Sequence, residues 1–190
     1  VLDSEFQIEE FVSGLFVPVN MEFIGDDLLV LEKNTGTVRH IKNNILLDSP
    51  VLDVEVSNYG EQGLLGITSV ENAVYLFFTE AYHDGGRALE NRIYKYSWNG
   101  NELVESVLLK RIPGFEREYV GGELVSDLDG KVYAVTGENY KIGLLQNHLE
   151  NESYRHFSTG ATKNENVRLT ISDSFRSEER RVGKECRSRW

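Results

Sequence analysis

Short apolar runs alternate with turn residues along this chain, and the runs recur. Asp27-Leu28-Leu29-Val30-Leu31-Glu32, Val74-Tyr75-Leu76-Phe77-Phe78-Thr79-Glu80 and Lys131-Val132-Tyr133-Ala134-Val135-Thr136-Gly137-Glu138 are of strand length, rich in β-branched or aromatic residues, and closed by a glutamate. Val74 to Phe78 is apolar without a break, as a strand buried on both faces should be. Upstream of each run lies a second apolar strand: Val19 to Ile24, Gly63 to Ile67, and Gly122 to Val125. The turns Gly25-Asp26, Glu71-Asn72 and Asp129-Gly130 join the members of each pair. Downstream of the first two copies a third strand is expected, at Thr37 to Ile41 and Arg92 to Trp98.

The closing glutamates stand 48 and 58 residues apart (80 minus 32, 138 minus 80). That spacing suits propeller blades of four short antiparallel strands with loops of variable length. Trp98-Asn99-Gly100-Asn101 is a hairpin signal that places Arg92–Trp98 and Glu102–Leu109 as paired strands. The reading is an all-β propeller with about three blades or part-blades present. A propeller closes its ring with roughly four to eight blades. The chain is therefore expected to be a fragment, one that leaves strand edges and blade faces uncovered and does not fold stably alone.

Phe6, Ile8, Phe11, Val12, Leu15 and Phe16 form an apolar pattern suited to a leading strand packed on the ring. Pro18 favours an extended Val17. Residues 42 to 58 read as a link between blades. Asp48 and Asp53 lack the spaced oxygen ligands of a calcium loop and read as solvated turn carboxylates. His83-Asp84-Gly85-Gly86 could pair a histidine with a carboxylate for metal or proton transfer, but in a glycine-rich loop it reads first as a loop. His40, His148 and His156 have no partners at ligand spacing.

Net charge at pH 7 is −11, which argues against nucleic acid as a partner, since phosphate backbones need clustered Lys and Arg. No stretch approaches the roughly 18 apolar residues of a membrane span. No export signal is visible in the chain, which opens at Val1.

Residues 176 to 190, RSEERRVGKECRSRW, match residue for residue the conceptual translation of a common short-read sequencing adapter. The other reading is a basic tail that binds nucleic acid or an acidic membrane surface. The tail holds six basic and three acidic residues, so without it the charge moves from −11 to −14. It also carries Cys186, the only cysteine. The rest of the chain therefore has no disulfide, thiolate nucleophile or Cys-ligated metal. Residues 1–148 read as the N-terminal part of a propeller, and 149–175 as an unassigned stretch, either a frame-shifted reading or a divergent loop.

Several of these runs carry a resemblance when taken together. Pro18-Val19-Asn20-Met21-Glu22-Phe23, Leu28 to Arg39, Gly60-Glu61-Gln62-Gly63-Leu64-Leu65-Gly66-Ile67, Asn91 to Tyr96 and Gly121-Gly122 are similar to the glucose/sorbosone dehydrogenase family, over about residues 14 to 148. The resemblance implies a six-bladed propeller, the quinone cofactor PQQ held at the top of the ring, Ca²⁺, a small sugar substrate, an electron acceptor, and export to the periplasm or beyond. It also implies oxidation of an aldose at C1 to the lactone, a histidine taking the hydroxyl proton while hydride passes to the quinone. That histidine stands two residues before a small-residue pair. Here the run is Glu118-Tyr119-Val120-Gly121-Gly122, which puts Tyr119 at the histidine position.

Tyrosine has an unperturbed pKa of about 10 against about 6.5 for histidine, so it is a poor base at pH 7. Either a cation depresses Tyr119, or Glu118 takes the role, or the protein is not a catalyst. Glu61 corresponds to a pocket-facing Gln or Glu of the family; alternatively it is a turn residue whose carboxylate caps backbone N–H groups. Gly63, Gly121 and Gly122 let the backbone approach a flat cofactor, or let strands turn at the crowded centre. Glu123 stands where other members have arginine, and Arg117 is the cation beside the motif. The family's main cofactor-binding cations and calcium ligands fall outside this chain. The rival reading is a non-catalytic propeller that binds carbohydrate or a protein partner. A propeller lactonase ranks last, because the visible blades hold no cluster of metal ligands.

Overall fold

The computed structural model describes residues 7–114, 117–118 and 120–137, together with the backbone of two short strands at 157–158 and 168–169. Tyr119, Glu138, His148, His156, the run 139–147 and the tail 176–190 lie outside the described residues. All regular structure among the described residues is strand. In chain order these are β1 Pro18–Ile24, β2 Asp27–Glu32, β3 Thr37–Lys42, β4 Ile45–Leu46, β5 Leu52–Asp53, β6 Leu64–Val70, β7 Ala73–Glu80, β8 Glu90–Trp98, β9 Leu103–Ile112, β10 Gly121–Ser126, β11 Val132–Thr136, β12 Phe157–Ser158 and β13 Arg168–Leu169. They form antiparallel sheets in the orders β1-β2-β3-β4 with β5 also on β3, β6-β7-β8-β9, β10-β11 and β12-β13.

The first three sheets are propeller blades, and the alternation of side chains explains how they stack. On β7, Val74, Leu76 and Phe78 enter one buried cluster with Leu29, Leu31, Val38 and Leu64. The intervening Tyr75 and Phe77 enter another with Ile93, Leu124, Val132 and Ala134. Successive side chains of a strand point to opposite faces, so the second blade is apolar on both sides because a blade packs against each. Fully burying one such side chain stabilises by about 1.5–3 kcal/mol. The flanking blades show the complement. Val19, Met21 and Phe23 on β1, Val125 on β10 and Val135 on β11 face away from the second blade and are exposed.

The glutamates that close the central strands of the first two blades also have a structural task. Glu32 is buried and accepts hydrogen bonds from Phe16 N at 2.7 Å and Thr37 Oγ1 at 2.6 Å, with Arg39 of β3 at 3.5 Å. Glu80 likewise pairs with Arg92 of β8. In both blades a carboxylate at the end of the second strand meets a guanidinium on the third.

Each inner strand carries a bulge just inside its leading end. Pairing skips a residue between Pro18 and Asn20, between Leu64 and Gly66, and between Gly121 and Glu123. The bulged residues Val19, Leu65 and Gly122 are equivalent in the three blades. Bulges bend a strand and concentrate at sheet edges and beside functional sites.

Four expectations change. Residues 7–16 form no strand; Val12 and Leu15 instead pack on Leu28, Val30 and Ile41 of the first blade, while Ile8, Phe11 and Phe16 are exposed. Gly14 is left-handed at φ +93°, which turns the segment off any straight path. Val17 is not extended but has φ +48°, unusual for a β-branched residue. It is held there by Lys33 N donating to its carbonyl at 3.1 Å and by the Phe16–Glu32 bond. The link at 42–58 contributes β4 and β5, and the stretch 149–175 contributes the paired β12 and β13.

The β10–β11 turn is organised around one carboxylate. Asp127 accepts from the Tyr133 hydroxyl at 2.7 Å and from the Lys131 and Asp129 amides, and these bonds, Tyr133 first, hold its carboxyl below the usual value. A carboxylate with a depressed folded-state pKa stabilises above its unfolded value, about 3.9, and loses that contribution as pH falls through the folded one. Tyr133→Phe is therefore expected to lower stability at pH 7, by an amount that shrinks as pH falls through the folded-state value. In parallel, the Asp127 carboxyl carbon, followed by NMR, should titrate at higher pH than in the parent.

Candidate functional site

Antiparallel order brings one set of loops to one end of the blades. The leading ends of β1, β6 and β10 lie there, with the β2–β3 turn and the β7–β8 loop. The segments Val17-Pro18, Lys33 to Gly36, Tyr59 to Gly63, Ala81 to Leu89 and the residues Arg117, Glu118 and Val120 are thus neighbours, although 16 to 103 positions separate Val17 from them in sequence. The rim of a propeller is a usual place for ligands because its loops carry little of the core.

Lys33 ties the first blade to the second. Its carbonyl accepts from Leu64 N at 3.0 Å, and its ammonium donates to the Gly60 carbonyl at 2.8 Å. Burial lowers the Lys33 pKa, and the Glu61 carboxylate partly restores it. A Cβ at Gly63 would sit 2.5 Å from the Lys33 carbonyl oxygen, so only glycine permits this approach. Below the turn, Gln62 is buried and accepts from Ser57 Oγ at 2.7 Å. Thr79 N donates to the Gly63 carbonyl at 2.9 Å, and Thr79 Oγ1 to Asn91 at 2.7 Å. The Gly60–Gly63 turn therefore stands on a buried polar layer whose members are bonded to one another, as low-dielectric surroundings require.

Glu61 bridges to the third blade. Its amide donates to the Arg117 carbonyl at 2.7 Å, and its carboxylate accepts from Val120 N at 3.2 Å. The Arg117 guanidinium lies over the Tyr59 ring, 4.8 Å from the centroid, a cation–π contact. Further along the inner strands, Asn20 Nδ2 donates to the Leu65 carbonyl at 3.3 Å and to Glu123 at 3.2 Å. Glu22 accepts from both Ser69 N and Ser69 Oγ at 2.7 Å.

The residues singled out from sequence converge here in part. Glu61 is exposed and performs the capping role, with Val120 as its partner. Gly63 backs onto Lys33, Gly121 onto Thr136 and Gly137, and Gly122 onto Leu65 and Phe77, so the open side of each glycine meets protein atoms. Glu118 is exposed beside Arg117. The Asp84 carboxylate accepts from Val56 N at 3.0 Å, and the His83 ring meets the Asp84 carbonyl, so this pair shapes its own loop. His40, without ligand-spaced partners in sequence, is buried against Asp27 at 2.9 Å and the edge of Trp98. Sequence reasoning passed over Lys33; its place in a Lys-Asn-Thr-Gly turn signals only the turn, and Gly60 is 27 residues away.

Among the described residues no group of three or more His, Cys, Asp or Glu side chains is placed to hold a metal ion, and no helix is long and apolar enough to cross a membrane.

A family model described as Glucose / Sorbosone dehydrogenase matches residues 15–158. No curated protein matches the chain in sequence. Among solved structures, the chain is similar to an oxidoreductase described as a glucose dehydrogenase from Thermus thermophilus, at 32% identity and TM-score 0.64, over 73% of this chain and 42% of that one. It is also similar to the PQQ-bound form of the aldose sugar dehydrogenase from Streptomyces coelicolor, at 28% identity and TM-score 0.62, over 74% and 43%. The soluble aldose sugar dehydrogenase of Escherichia coli, at 21% identity and TM-score 0.60 over 70% and 41%, shares the fold. The chain spans less than half the length of each of these structures.

Proposed function

The chain belongs to the glucose/sorbosone dehydrogenase family, and from that premise we propose that it is part of a PQQ-dependent dehydrogenase that oxidises an aldose at C1 to the lactone. The observation that carries this reading is the family match over 15–158, with Lys33 and the Gly60–Gly63 turn of the resembling runs meeting at one rim. Export from the cytoplasm, Ca²⁺ and an external electron acceptor belong to the same proposal.

PQQ carries three carboxylates. At this rim Lys33 and Arg117 are suited to them, whereas Glu61, Glu118 and Glu123 repel them, and the glycine backs are filled. These residues do not make a cradle for the quinone. The holding groups are assigned to blades beyond these, and the quinone's chemistry is acceptance of two electrons from the sugar. What this chain offers is a proton acceptor, Glu118 or Tyr119, in a segment whose flanking Arg117 and Val120 are bonded to the Gly60–Gly63 turn. The test is the full-length protein supplied with PQQ and Ca²⁺ and assayed by reduction of a soluble dye. Aldose-dependent reduction is expected; no reduction with any aldose would sink the proposal.

Tyrosine at position 119 favours a second reading, a propeller that binds carbohydrate or a protein partner without turning it over. That protein would bind its ligand equally well with and without PQQ.

A further inference from the structure

Two hydrogen bonds from one residue hold the chain on either side of Glu118. Glu61 N donates to the Arg117 carbonyl on one side, and the Glu61 carboxylate accepts from Val120 N on the other. The turn that presents Glu61 is itself fixed, by Lys33 on the Gly60 carbonyl and by the buried Ser57–Gln62 bond beneath it. A Cβ at Gly60 would lie 2.5 Å from the Arg117 carbonyl oxygen, so the two segments are in backbone contact. The Val120 carbonyl in turn accepts from Gly137 N at 3.0 Å, joining the segment to the far end of β11.

We infer that Glu61 is a positioning residue, a latch across two blades that holds Arg117, Glu118 and Val120 at the rim, and acts through its oxygen as hydrogen-bond acceptor, not through its charge. This deepens the proposed function and rests on it where catalysis is concerned. The latch itself stands on geometry alone.

Glu61→Gln and Glu61→Met separate the two roles in the full-length protein. Both remove the charge, both keep the length of the stem, and only glutamine keeps an oxygen for Val120 N. Because Glu61 is exposed, neither opens a cavity. Hydrogen exchange is read over peptides covering 117–124. Met is expected to speed exchange at Val120 by about tenfold, the loss of roughly one hydrogen bond, and Gln to leave it within about threefold. In the quinone-loaded enzyme, Met should lower kcat by about tenfold or more with KM nearly unchanged, as misplacement of a reacting group does, and Gln should restore it.

Equal exchange in the two variants would overturn the inference, as would a rise spread evenly over all the blades. A rise confined to the 117–124 peptides in Met alone supports it. If the parent oxidises no aldose, the functional proposal falls, while the exchange comparison still decides the latch.

Discussion

Replacing Tyr119 by histidine in the full-length, quinone-loaded protein is expected to raise kcat for aldose oxidation at pH 7 by about a hundredfold, the scale of general-base catalysis. The reasoning is acid–base arithmetic. At pH 7 a phenol of ordinary pKa, about 10, is ionised in roughly one molecule per thousand, whereas an imidazole of pKa about 6.5 is mostly free to accept a proton. Substrate binding is not expected to change much, so the gain should fall on kcat. The pH profiles should differ as well. A tyrosine base of ordinary pKa gives a rate that climbs tenfold per unit toward pH 10, while a histidine base of ordinary pKa levels off above about pH 6.5. If Glu118 is the acceptor instead, the parent will already be active at pH 7 and Glu118→Gln will abolish that activity. A Tyr119→His variant as inert as its parent would transfer the argument to the binding propeller.

A large structural effect is expected at Gly66. A Cβ there would lie 2.0 Å from the carbonyl oxygen of Gly122 and 3.2 Å from Leu124. The first neighbour is backbone of the next blade, at a bulge, so nothing at the far end of a flexible side chain can swing aside. Gly66→Ala must therefore push the second and third blades apart or distort both strands. Overpacking of a tight core costs about 1–3 kcal/mol, and more when the obstacle is backbone. A loss of about 3 kcal/mol or more in urea denaturation of the full-length protein is the expected result. Gly25→Ala is the control, because its added Cβ meets nothing within 4 Å although its φ is +60°. It should cost about 1 kcal/mol from the backbone conformation alone.

Much of this architecture was legible in the sequence because burial dictated it. The uninterrupted apolar run of β7 announces a strand covered on both faces, and its alternate side chains do enter two separate clusters. The hairpin signal at Asn99-Gly100 joins β8 to β9 as expected. What escaped was set by contacts between distant segments. Val17 looks extended by the rule for residues before proline, yet the backbone bond from Lys33 and the carboxylate of Glu32 impose φ +48°. Phe11 and Phe16 look like core but end exposed, since the segment that carries them crosses the first blade instead of pairing with it. Lys33 looked like a turn lysine because nothing local points from it to Gly60. Of the candidate site, Glu61 was legible as a residue at the rim, but the sequence left its capping and pocket roles equally open. Only the Val120 amide, 59 positions away, shows which contact it makes.

The repeated bulges at Val19, Leu65 and Gly122 bear on how such a rim changes over generations. A strand without slack transmits every insertion or deletion along its length, and a shift of one residue exchanges the two faces. Here each inner strand holds one spare residue between the rim and the packed region, and a bulge can take up or give out a residue locally. Rim segments are thereby insulated from the phase of the strand below. Position 119 lies on the upstream side of its bulge and Leu124 on the downstream side. The lineage that carries this chain could exchange the residue at 119 while the clusters that hold the blades together kept their register.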